Sequence, residues 1–481
     1  MLITSIPYYN NKDAIQQIAR ALDTDGIELR LDYAKEIDIA AIKTLRETCT
    51  LPIIFTLRKP SQGGHYPFDE KKRLDLLLAL SLLKPDYMDI EHDTPHSILE
   101  EIACHTKLIV SYHNHDETPR DLNAVLLSMQ HPAIFTYKIA TQTHNTLDAL
   151  RLLQFKNEKC HLTVIGMGPH GQCTRILSPV IGNVMHYTSL DSENNTASGQ
   201  MTVEELRKLY FIHRLNQKTK IYALLGHPVE KSIGHIFHNQ AISYLQKNAV
   251  YIKLDITPNE LPLAISLFQT LPFSGFSITA PLKEIIVPLL HNIDIDDQPI
   301  QAINTVSVEN NQWIGCNTDG KGAWKALSAH CNPINQTLVI LGAGGAASAI
   351  AYEALRHDAK VIILNRTLLR ARELATRLGC QYNDLHALKT MKQSCYAIIN
   401  TLPNHDWLDA HDLSQKIYAM DVVYQPTQTE FLKKASQADC VAISGYGMYI
   451  EQALLQLVRW LNPTPSELSQ LRKMGMAFKL D

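Results

Sequence analysis

The stretch TLVILGAGGAASAI, residues 337–350, joins an apolar run to a glycine-rich turn and a segment of small residues. Gly342, Gly344 and Ala347 fit the G-x-G-x-x-G/A spacing, in which a strand turns tightly into a helix whose N-terminus receives a pyrophosphate. A second strand-like run, AKVIILNRT at 359–367, follows at the distance of a βαβ unit. The two runs together predict a doubly wound dinucleotide-binding domain.

The end of the second run indicates which dinucleotide is bound. An enzyme that uses NAD places Asp or Glu there to hold the ribose hydroxyls, but this chain has Asn365-Arg366-Thr367, with Arg370 one turn later. Because a guanidinium pairs well with a 2′-phosphate, we expect NADP(H). A surface arginine beside an NAD or flavin site is the alternative. The expected cofactor-binding residues in this segment are Gly342, Ala343, Gly344, Gly345, Ala346, Asn365, Arg366, Thr367 and Arg370.

Length and composition narrow the class of protein. A chain of 481 residues predicts roughly two to four domains. The formal net charge of −3 disfavours a nucleic-acid partner, and the longest apolar runs, such as LDLLLALSLL at 74–83, are too short to cross a bilayer. The first residues lack the features of a signal or transit peptide, and the nine cysteines form no CxxC pair. We therefore expect a cytoplasmic protein with reduced thiols, with a mature plastid form as the alternative.

The first part of the chain, up to about residue 210, has a repeating strand–helix pattern. Eight β-branched runs alternate with amphipathic segments, which predicts a closed (β/α)8 barrel. The runs are LITSI, GIELRL, PIIFTL, YMDIEH, KLIVSY, IFTYKIA, HLTVIG and VMHYTSL. In this fold the reactive residues lie at the C-terminal ends of the strands.

Lys138, inside the run FTYKIA, is the most informative residue of the predicted barrel. Its side chain would point inward, where an ammonium is costly unless it is paired or deprotonated, and the neutral amine is the nucleophile that forms a Schiff base. A structural ion pair with Glu28 is the alternative. His113 and His115 alternate on one face of SYHNH, so an HxH metal pair is the alternative to a catalytic histidine.

The order of the segments ELRLD, FTLRKPSQGG, SYHNHDETP, YKIA and GMGPHGQCTRI resembles type I 3-dehydroquinate dehydratase over residues 1–210. The resemblance implies that Lys138 forms an imine with the substrate ketone and that His113 removes the adjacent proton, with Glu28 as the carboxylate beside that histidine. A protonated imine is an electron sink that acidifies the neighbouring C–H, and histidine suits a base near neutral pH. The implied substrate-binding residues are Arg30, Arg58, Gln62, Arg175, Thr196 and Gln200, with Arg175 as the carboxylate clamp.

Two barrel positions depart from that family. Gln62 stands where the family has Glu, and Thr196 stands where the covering loop usually has serine. Both replacements are polar and close in size to the usual residue. We therefore expect them to affect the rate rather than the type of reaction.

The second half contains GHPVEKSIGH, GFSITAPLKEII, AINTVSV and GCNTDGKGA before the glycine-rich turn, and SGYGMYIEQALLQ after it. These segments resemble shikimate dehydrogenase over residues 220–481. The resemblance implies that Lys283 and Asp319 are the catalytic pair, in which Lys283 passes the proton to or from the substrate oxygen while Asp319 positions it. It also implies substrate contacts from Ser232, Thr279, Asn304, Tyr424 and Gln452, and a meeting of nicotinamide and substrate around Gly445 and Met448.

The dehydrogenase half has one departure of its own. The S-K-S turn of that family reads Ser232-Ile233-Gly234 here, so the second serine is missing. The loss of one hydrogen bond to the substrate carboxylate costs about 1–3 kcal/mol if nothing replaces it. Lys231 or a water molecule is the expected replacement.

The two resemblances together imply successive reactions on one chain: 3-dehydroquinate loses water to give 3-dehydroshikimate, which NADPH then reduces to shikimate. We expect an α/β protein with an N-terminal (β/α)8 barrel over residues 1–215, followed by a two-domain shikimate dehydrogenase unit. Its substrate domain covers 216–325 with the C-terminal segment 448–481, and its Rossmann NADP-binding domain covers 326–447. The arrangement is similar to the bifunctional enzymes of plants and some bacteria. The alternatives are a non-catalytic regulator and a class I aldolase fused to a quinate-type dehydrogenase.

Overall fold

The chain forms two compact units in the computed structural model. Residues 1–21, 23–66, 69–131, 133–157, 160–193, 195–391, 394–403 and 407–477 are described. The first unit comprises Met1–Ile221, Asn248–Ile256 and Pro262–Pro272, and the second comprises Tyr222–Lys247, Thr257–Leu261 and Phe273–Asp481. No helix among the described residues combines the length and the apolar character that a membrane span requires.

Within the described residues of the first unit, eight parallel strands form one sheet in the order β7-β6-β5-β4-β3-β2-β1-β8. The strands β1–β8 are Leu2–Pro7, Gly26–Arg30, Ile53–Thr56, Tyr87–Glu91, Lys107–Asn114, Ile134–Gln142, Leu162–Met167 and His186–Ser189. The backbone N–H of Val184, just before β8, donates to the carbonyl of Leu162 in β7 at 3.2 Å, so the sheet nearly closes on itself. Each of the eight predicted runs coincides with one strand, and the predicted barrel is confirmed.

Helices alternate with these strands. Many of them begin after a polar residue whose side chain caps the free backbone N–H groups of the first turn. The helices α1–α7 are Asn11–Arg20, Ile39–Thr48, Glu70–Ser81, His96–Ala103, Leu122–Ser128, Thr146–Gln154 and Gln172–Ile176. The capping side chains are those of Asn10, Asp38, Asp69, Asp121 and Asn145. The outward-facing strand residues pack against these helices, and an inner cluster that includes Ile3, Ile109 and Ile165 fills the barrel.

A second, mixed sheet contains six strands among the described residues, in the order β10-β9-β11-β13-β14-β12. The strands β9–β14 are Lys220–Gly226, Ala249–Asp255, Phe273–Ile278, Asn292–Ile293, Thr305–Glu309 and Gln312–Cys316. The helices of this region, α8–α11, are Gly234–Tyr244, Leu261–Phe268, Leu282–Ile285 and Asp319–Ser328. Strand β13 pairs antiparallel with both β11 and β14, as expected of a small mixed α/β domain.

The third sheet is parallel, and its described strands follow the order β17-β16-β15-β18-β19-β20. The strands β15–β20 are Thr337–Leu341, Lys360–Leu364, Gln381–Asn383, Ala397–Asn400, Tyr418–Asp421 and Val441–Ile443. The helices α12–α17 are Gly345–Arg356, Leu368–Leu378, Leu388–Met391, Glu430–Gln437, Tyr446–Leu461 and Pro465–Ala477. In order of the chain this is the 3-2-1-4-5-6 arrangement, with its topological switch between the first and fourth strands. The predicted Rossmann domain is therefore confirmed.

Helix α16 returns the chain to the mixed sheet. It packs against α8, α11, β11 and β13, with Ile450, Leu454 and Leu457 buried. This contact confirms the expectation that a helix near residues 448–461 packs on the substrate domain. Residues 478–481 of the predicted C-terminal segment lie outside the described residues.

Candidate active sites

The strand alternation of the barrel directs a set of ionisable side chains inward. In β6, Lys138 lies two residues before Ala140, which belongs to the inner cluster, and in β4 Asp89 lies two residues after Tyr87, which also belongs to it. Side chains two apart on a strand share a face. Lys138 and Asp89 are therefore both carried into the barrel, and both are almost fully buried.

The Lys138 ammonium contacts two carboxylates and one aromatic ring. Its Nζ atom lies 2.9 Å from Oδ2 of Asp89 and 3.7 Å from Oε1 of Glu28. The same atom lies over the ring of Tyr187, 3.8 Å from its centroid. The predicted proximity to Glu28 is present, but the shorter ion pair is with Asp89, which the sequence reasoning missed.

Asp89 is the centre of the barrel's buried charges. Its Oδ1 atom accepts hydrogen bonds from Nη2 of Arg58 and from Oγ of Ser111, both at 2.6 Å. Burial alone would raise the pKa of Asp89, but the Arg58 and Lys138 cations outweigh burial and hold that pKa well below its usual range. The available signal was the alternation in YMDIEH, which puts an acidic residue on the inner face of a central strand.

The three predicted barrel arginines have different partners. Arg30 forms a bidentate ion pair with Asp32, in which Nε lies 2.9 Å from Oδ1 and Nη2 lies 2.8 Å from Oδ2. Arg175 is buried, its Nε has no hydrogen-bond partner, and it forms no ion pair within the described chain. Burial lowers the pKa of Arg175 to about 10, so the guanidinium remains charged at neutral pH without an anion beside it. This arrangement suits the recognition of a carboxylate brought by a ligand.

Gln62, rather than Glu28, lies beside the predicted catalytic histidine. Its Oε1 accepts the backbone N–H of His113 at 3.1 Å and lies 3.4 Å from Nδ1 of the same residue. Glu28 instead accepts hydrogen bonds from Ser5 at 2.6 Å and from Thr56 at 2.9 Å. The ring of His115 lies parallel to that of His113, and its Nε2 lies 3.3 Å from the Gln62 carbonyl oxygen.

A covering loop completes the barrel site. The backbone N–H and the hydroxyl of Thr196 both donate to Oε1 of Gln200, at 2.9 and 3.2 Å. All nine barrel residues predicted as catalytic or substrate-binding border one cavity of about 50 Å³. Its lining comprises Ser5, Glu28, Arg30, Arg58, Gln62, Gly63, His113, His115, Lys138, Ala140, Ile165, Met167, Arg175, Tyr187, Thr196, Ala197 and Gln200.

The second unit contains its own lysine–carboxylate pair. Nζ of Lys283, on α10, lies 2.5 Å from Oδ2 of Asp319, the first residue of α11. The Nδ2 atom of Asn304 donates to the other carboxylate oxygen of Asp319 at 2.8 Å and also contacts Oε1 of Gln452 at 3.3 Å. The structure thus joins Lys283, Asp319, Asn304 and Gln452, which the sequence places far apart.

Ser232 and Tyr424 form another part of the predicted substrate site. Their side chains are hydrogen-bonded to each other, and the Tyr424 ring stacks on Tyr449 at 4.6 Å between centroids. Thr279 follows β11 and lines the same cleft as Lys283. At the missing serine, the backbone N–H of Gly234 contacts the Ser232 hydroxyl at 3.3 Å.

The glycine-rich turn borders a cleft of about 1040 Å³ in the second unit. Gly342 has φ +115°, and a Cβ atom there would lie 2.2 Å from the Thr401 hydroxyl, so glycine is required. The cleft is lined by nine of the residues that the sequence predicted for the cofactor: Gly342, Ala343, Gly344, Gly345, Ala346, Asn365, Arg366, Thr367 and Arg370. The sequence reasoning missed Asp384, His386 and Trp407, which also line it.

Two of the predicted cofactor residues lie elsewhere. Among the described residues that line the cleft, neither Gly445 nor Met448 is present. Met448 is buried in the apolar cluster that contains Ala323 and Ile443, and Gly445 lies against the backbone of Asp421. A meeting of nicotinamide and substrate at these two residues stays a prediction.

Comparison with known proteins matches three segments of the chain to family models. Residues 2–217 match the family model of type I 3-dehydroquinase, residues 224–306 match the shikimate dehydrogenase substrate binding domain, and residues 326–413 match shikimate/quinate 5-dehydrogenase. The shikimate biosynthesis protein AroDE of Chlamydia pneumoniae is 36% identical over 461 residues, which cover 93% of this chain and 92% of that one. The chain belongs to the family of fused 3-dehydroquinate dehydratase–shikimate dehydrogenases.

Other members and structures agree with this family. The chloroplastic bifunctional 3-dehydroquinate dehydratase/shikimate dehydrogenase of Arabidopsis thaliana is 31% identical over 484 residues, covering 94% of this chain and 80% of that one. The crystal structure of shikimate dehydrogenase from Aquifex aeolicus is 29% identical with a TM-score of 0.51, and covers 55% of this chain and 99% of that one. A shikimate dehydrogenase solved in complex with NADP+ is 33% identical with a TM-score of 0.50, over 55% of this chain and 98% of that one.

In this member of the fused family, the neutral Gln62 amide lies against the His113 ring. Its Oε1 atom lies 3.4 Å from Nδ1 of His113, and since that oxygen can only accept, the contact favours the tautomer with the proton on Nδ1. Burial, and then the Arg58 and Lys138 cations, hold the pKa of His113 well below 6.5. The imidazole is therefore neutral, and able to accept a proton, from mildly acidic pH upward.

We expect Gln62→Glu to raise the pKa of His113 by about one unit or more, because an anion beside the ring stabilises the imidazolium. The neutral, basic form of His113 would then exist only above this higher pKa. At a pH between the two pKa values, His113 would be protonated in the variant and neutral in the original chain. An NMR titration with ¹³Cε1-labelled histidine measures the midpoint, and the His113→Gln spectrum identifies the resonance. Gln62→Met, of similar length but without charge, is the control that should not raise the midpoint. An unchanged midpoint in Gln62→Glu would contradict the assigned contact.

Proposed function

We propose that the barrel dehydrates 3-dehydroquinate to 3-dehydroshikimate and that the second half reduces this product to shikimate with NADPH. In this proposal residues 1–215 carry the first reaction. Residues 216–325 with 448–481 bind the substrate of the second reaction, and residues 326–447 bind the nucleotide. The observation that carries the proposal is that Lys138, His113 and Arg175 border one cavity, on the same chain as the Lys283–Asp319 pair, and that Arg175 forms no ion pair within the described chain.

The dehydration begins at Lys138. The Lys138 ammonium gives a proton to His113, and its amine attacks the ketone carbon. His113 returns that proton to the hydroxyl of the carbinolamine, which leaves as water and gives a cationic imine. Nε2 of His113 then removes a proton from the adjacent carbon, and the electron pair moves to the nitrogen to give a neutral enamine. The enamine expels the hydroxyl group, which takes the proton from His113 and leaves as water. Hydrolysis of the imine with one water releases the enone and restores Lys138.

The remaining barrel residues hold the substrate in place. Arg175 binds the carboxylate, since it is the buried guanidinium that lacks an anion in the described chain. Arg30, Arg58 and Gln62 face the hydroxyl groups, and their own contacts with Asp32, Asp89 and His113 fix their positions. Thr196 and Gln200 close the cavity and exclude bulk water.

The reduction uses Lys283 and Asp319. The nucleotide, when bound, supplies the hydride to the ketone carbon of 3-dehydroshikimate. Lys283 donates the proton that the developing alkoxide requires, and Asp319 holds the ammonium at 2.5 Å and keeps it oriented. Asn304 fixes the Asp319 carboxylate, and the substrate contacts are those of Ser232, Thr279, Asn304, Tyr424 and Gln452.

The nucleotide cleft fits NADP(H). Gly342 leaves room for the pyrophosphate at the N-terminus of α12, where the free N–H groups favour an anion. Arg366 and Arg370 line the cleft, and neither forms an ion pair within the described chain. Two exposed guanidinium groups without acidic partners suit a 2′-phosphate, whose charge NAD lacks.

We also propose that the chain works in a reducing compartment, the cytoplasm of a bacterium or the interior of a plastid. All nine cysteines are free thiols. Burial raises the pKa of Cys173, Cys316 and Cys395 to about 12, so these thiols are protonated and unreactive at neutral pH. They pack as small apolar side chains.

The covalent step can be tested at Lys138. Borohydride added together with 3-dehydroquinate should reduce the imine and leave the mass of the reduced ligand on the peptide that contains Lys138. Lys138→Ala should abolish both the label and the dehydration, because no other amine borders the cavity among the described residues. The exposed Lys71→Ala is the control and should label normally. Dehydration at full rate by Lys138→Ala would refute the proposed mechanism.

Cofactor choice can be tested at Arg366. A guanidinium–phosphate pair should favour NADPH over NADH by about tenfold to a hundredfold, and each factor of ten corresponds to about 1.4 kcal/mol. Arg366→Ala should therefore raise the KM for NADPH by about tenfold or more and leave that for NADH little changed. Arg372→Ala removes an exposed charge on α13, which begins two residues after Arg366; Arg372 is not among the residues that line the cleft, and its loss should change neither KM. An equal loss with both cofactors would mean that Arg366 has a structural role.

The separation of the two chemistries can be tested in the full chain. Lys138→Ala should abolish dehydration but leave the reduction of added 3-dehydroshikimate within about a factor of two of the original rate. Lys283→Ala should do the reverse, so that 3-dehydroshikimate accumulates from 3-dehydroquinate and its enone absorbance persists. The reason is that no residue assigned to one reaction is assigned to the other. Loss of both activities in either variant, with thermal unfolding unchanged, would contradict the assignment.

A further inference from the structure

Tyr187 has a contact that the proposed roles do not use. The residue lies on β8, its side chain is buried, and its ring face is directed at Nζ of Lys138 with 3.8 Å between that atom and the centroid. The phenol hydroxyl points away, to the sulfur of Met185 at 3.6 Å. Burial, and then Glu28, raise the pKa of Tyr187 well above 10, so the ring remains neutral. Its interaction with Lys138 is therefore that of a π-face with a cation.

Asp89 lies at the same nitrogen and has a fixed charge. Its Oδ2 is 2.9 Å from Nζ of Lys138, and its Oδ1 is held by Arg58 and Ser111. The carboxylate can neither turn toward solvent nor take up a proton at ordinary pH, because both cations favour its ionised form. The nitrogen of Lys138 thus lies between a fixed anion and an aromatic face.

We propose that the Tyr187 ring and the Asp89 carboxylate are catalytic groups that stabilise the positive charge of the imine nitrogen at Lys138. The inference rests on the proposed Schiff-base reaction and concerns a part of it that Lys138 and His113 do not supply. Only the protonated imine is an effective electron sink, and it places a charge in a site from which water is excluded. The two groups offset that cost at the atom where the charge forms.

The alternative is that Tyr187 serves only as packing in the inner cluster of the barrel. A packing role depends on volume, whereas the proposed role depends on the π-face. Tyr187→Phe keeps the ring and removes only the hydroxyl, which contacts Met185 rather than Lys138. Tyr187→Leu keeps an apolar side chain but removes the quadrupole, so the pair of variants separates the two roles.

The test compares these variants in the full chain, with 3-dehydroquinate and sodium borohydride as probes. We expect the fraction of Lys138 trapped as reduced imine, read by mass spectrometry, to fall about tenfold in Tyr187→Leu, equivalent to about 1.4 kcal/mol. The initial rate of dehydration should fall with it, and the KM should stay within about twofold. Tyr187→Phe, which keeps the π-face, should lose clearly less trapping and less rate than Tyr187→Leu. Reduction of added 3-dehydroshikimate and thermal unfolding report whether each variant is folded.

Asp89→Asn provides a second, independent measurement, since it keeps the shape of the side chain and removes its charge. It should also lower the trapped fraction about tenfold or more. Trapping at the original level by folded Tyr187→Leu or by folded Asp89→Asn would overturn the inference, as would an equal loss in Tyr187→Phe and Tyr187→Leu. Failure of the proposed function looks different: the original chain would then dehydrate its substrate without any label on Lys138.

Discussion

The buried carboxylate of Asp89 is the group on which the barrel site depends. A lysine and an arginine cannot both be buried in a barrel interior without an anion, because each desolvated charge costs several kcal/mol. Asp89 binds Lys138 with one oxygen and Arg58 with the other, so a single side chain sets the position of the proposed nucleophile relative to a proposed substrate-binding group. Glu28 contributes a second, longer contact at 3.7 Å. The rest of the site is arranged around this pair of bonds.

The cations that remain after this pairing define what the site can bind. Arg30 is neutralised by Asp32 and Arg58 by Asp89, whereas Arg175 has no anion within the described chain. The positive charge of Arg175 is thus available to the proposed ligand, whose carboxylate would be attracted more strongly in the buried site than in water. Burial, and then the Arg58 and Lys138 cations, hold the pKa of His113 well below 6.5. Burial together with the local cations therefore suits both the proposed carboxylate binding and the proposed base.

The sequence predicted the strands and most of the site, because strand alternation and the spacing of glycines are local. It missed Asp89, since one acidic residue among 48 carries no signal until the barrel closes and its inner face is known. It missed Tyr187 because the contact of that ring with Lys138 joins two strands far apart in the chain. It placed Glu28 beside His113, where the structure has Gln62, because resemblance assigns residue types but not the direction of side chains. Its placement of Met448 at the nicotinamide stays a prediction, and the Met448 side chain packs in an apolar cluster.

Both halves contain a lysine–aspartate pair, and the exposure of each lysine suits the different task proposed for it. The Lys138 side chain is 7% exposed, which would protect the proposed imine from early hydrolysis by bulk water. The Lys283 side chain is 19% exposed, which suits a group proposed to deliver one proton per turnover and to recover it from solvent. In the proposed mechanism a similar ion pair thus serves nucleophilic catalysis in one unit and proton transfer in the other, according to how much water reaches it.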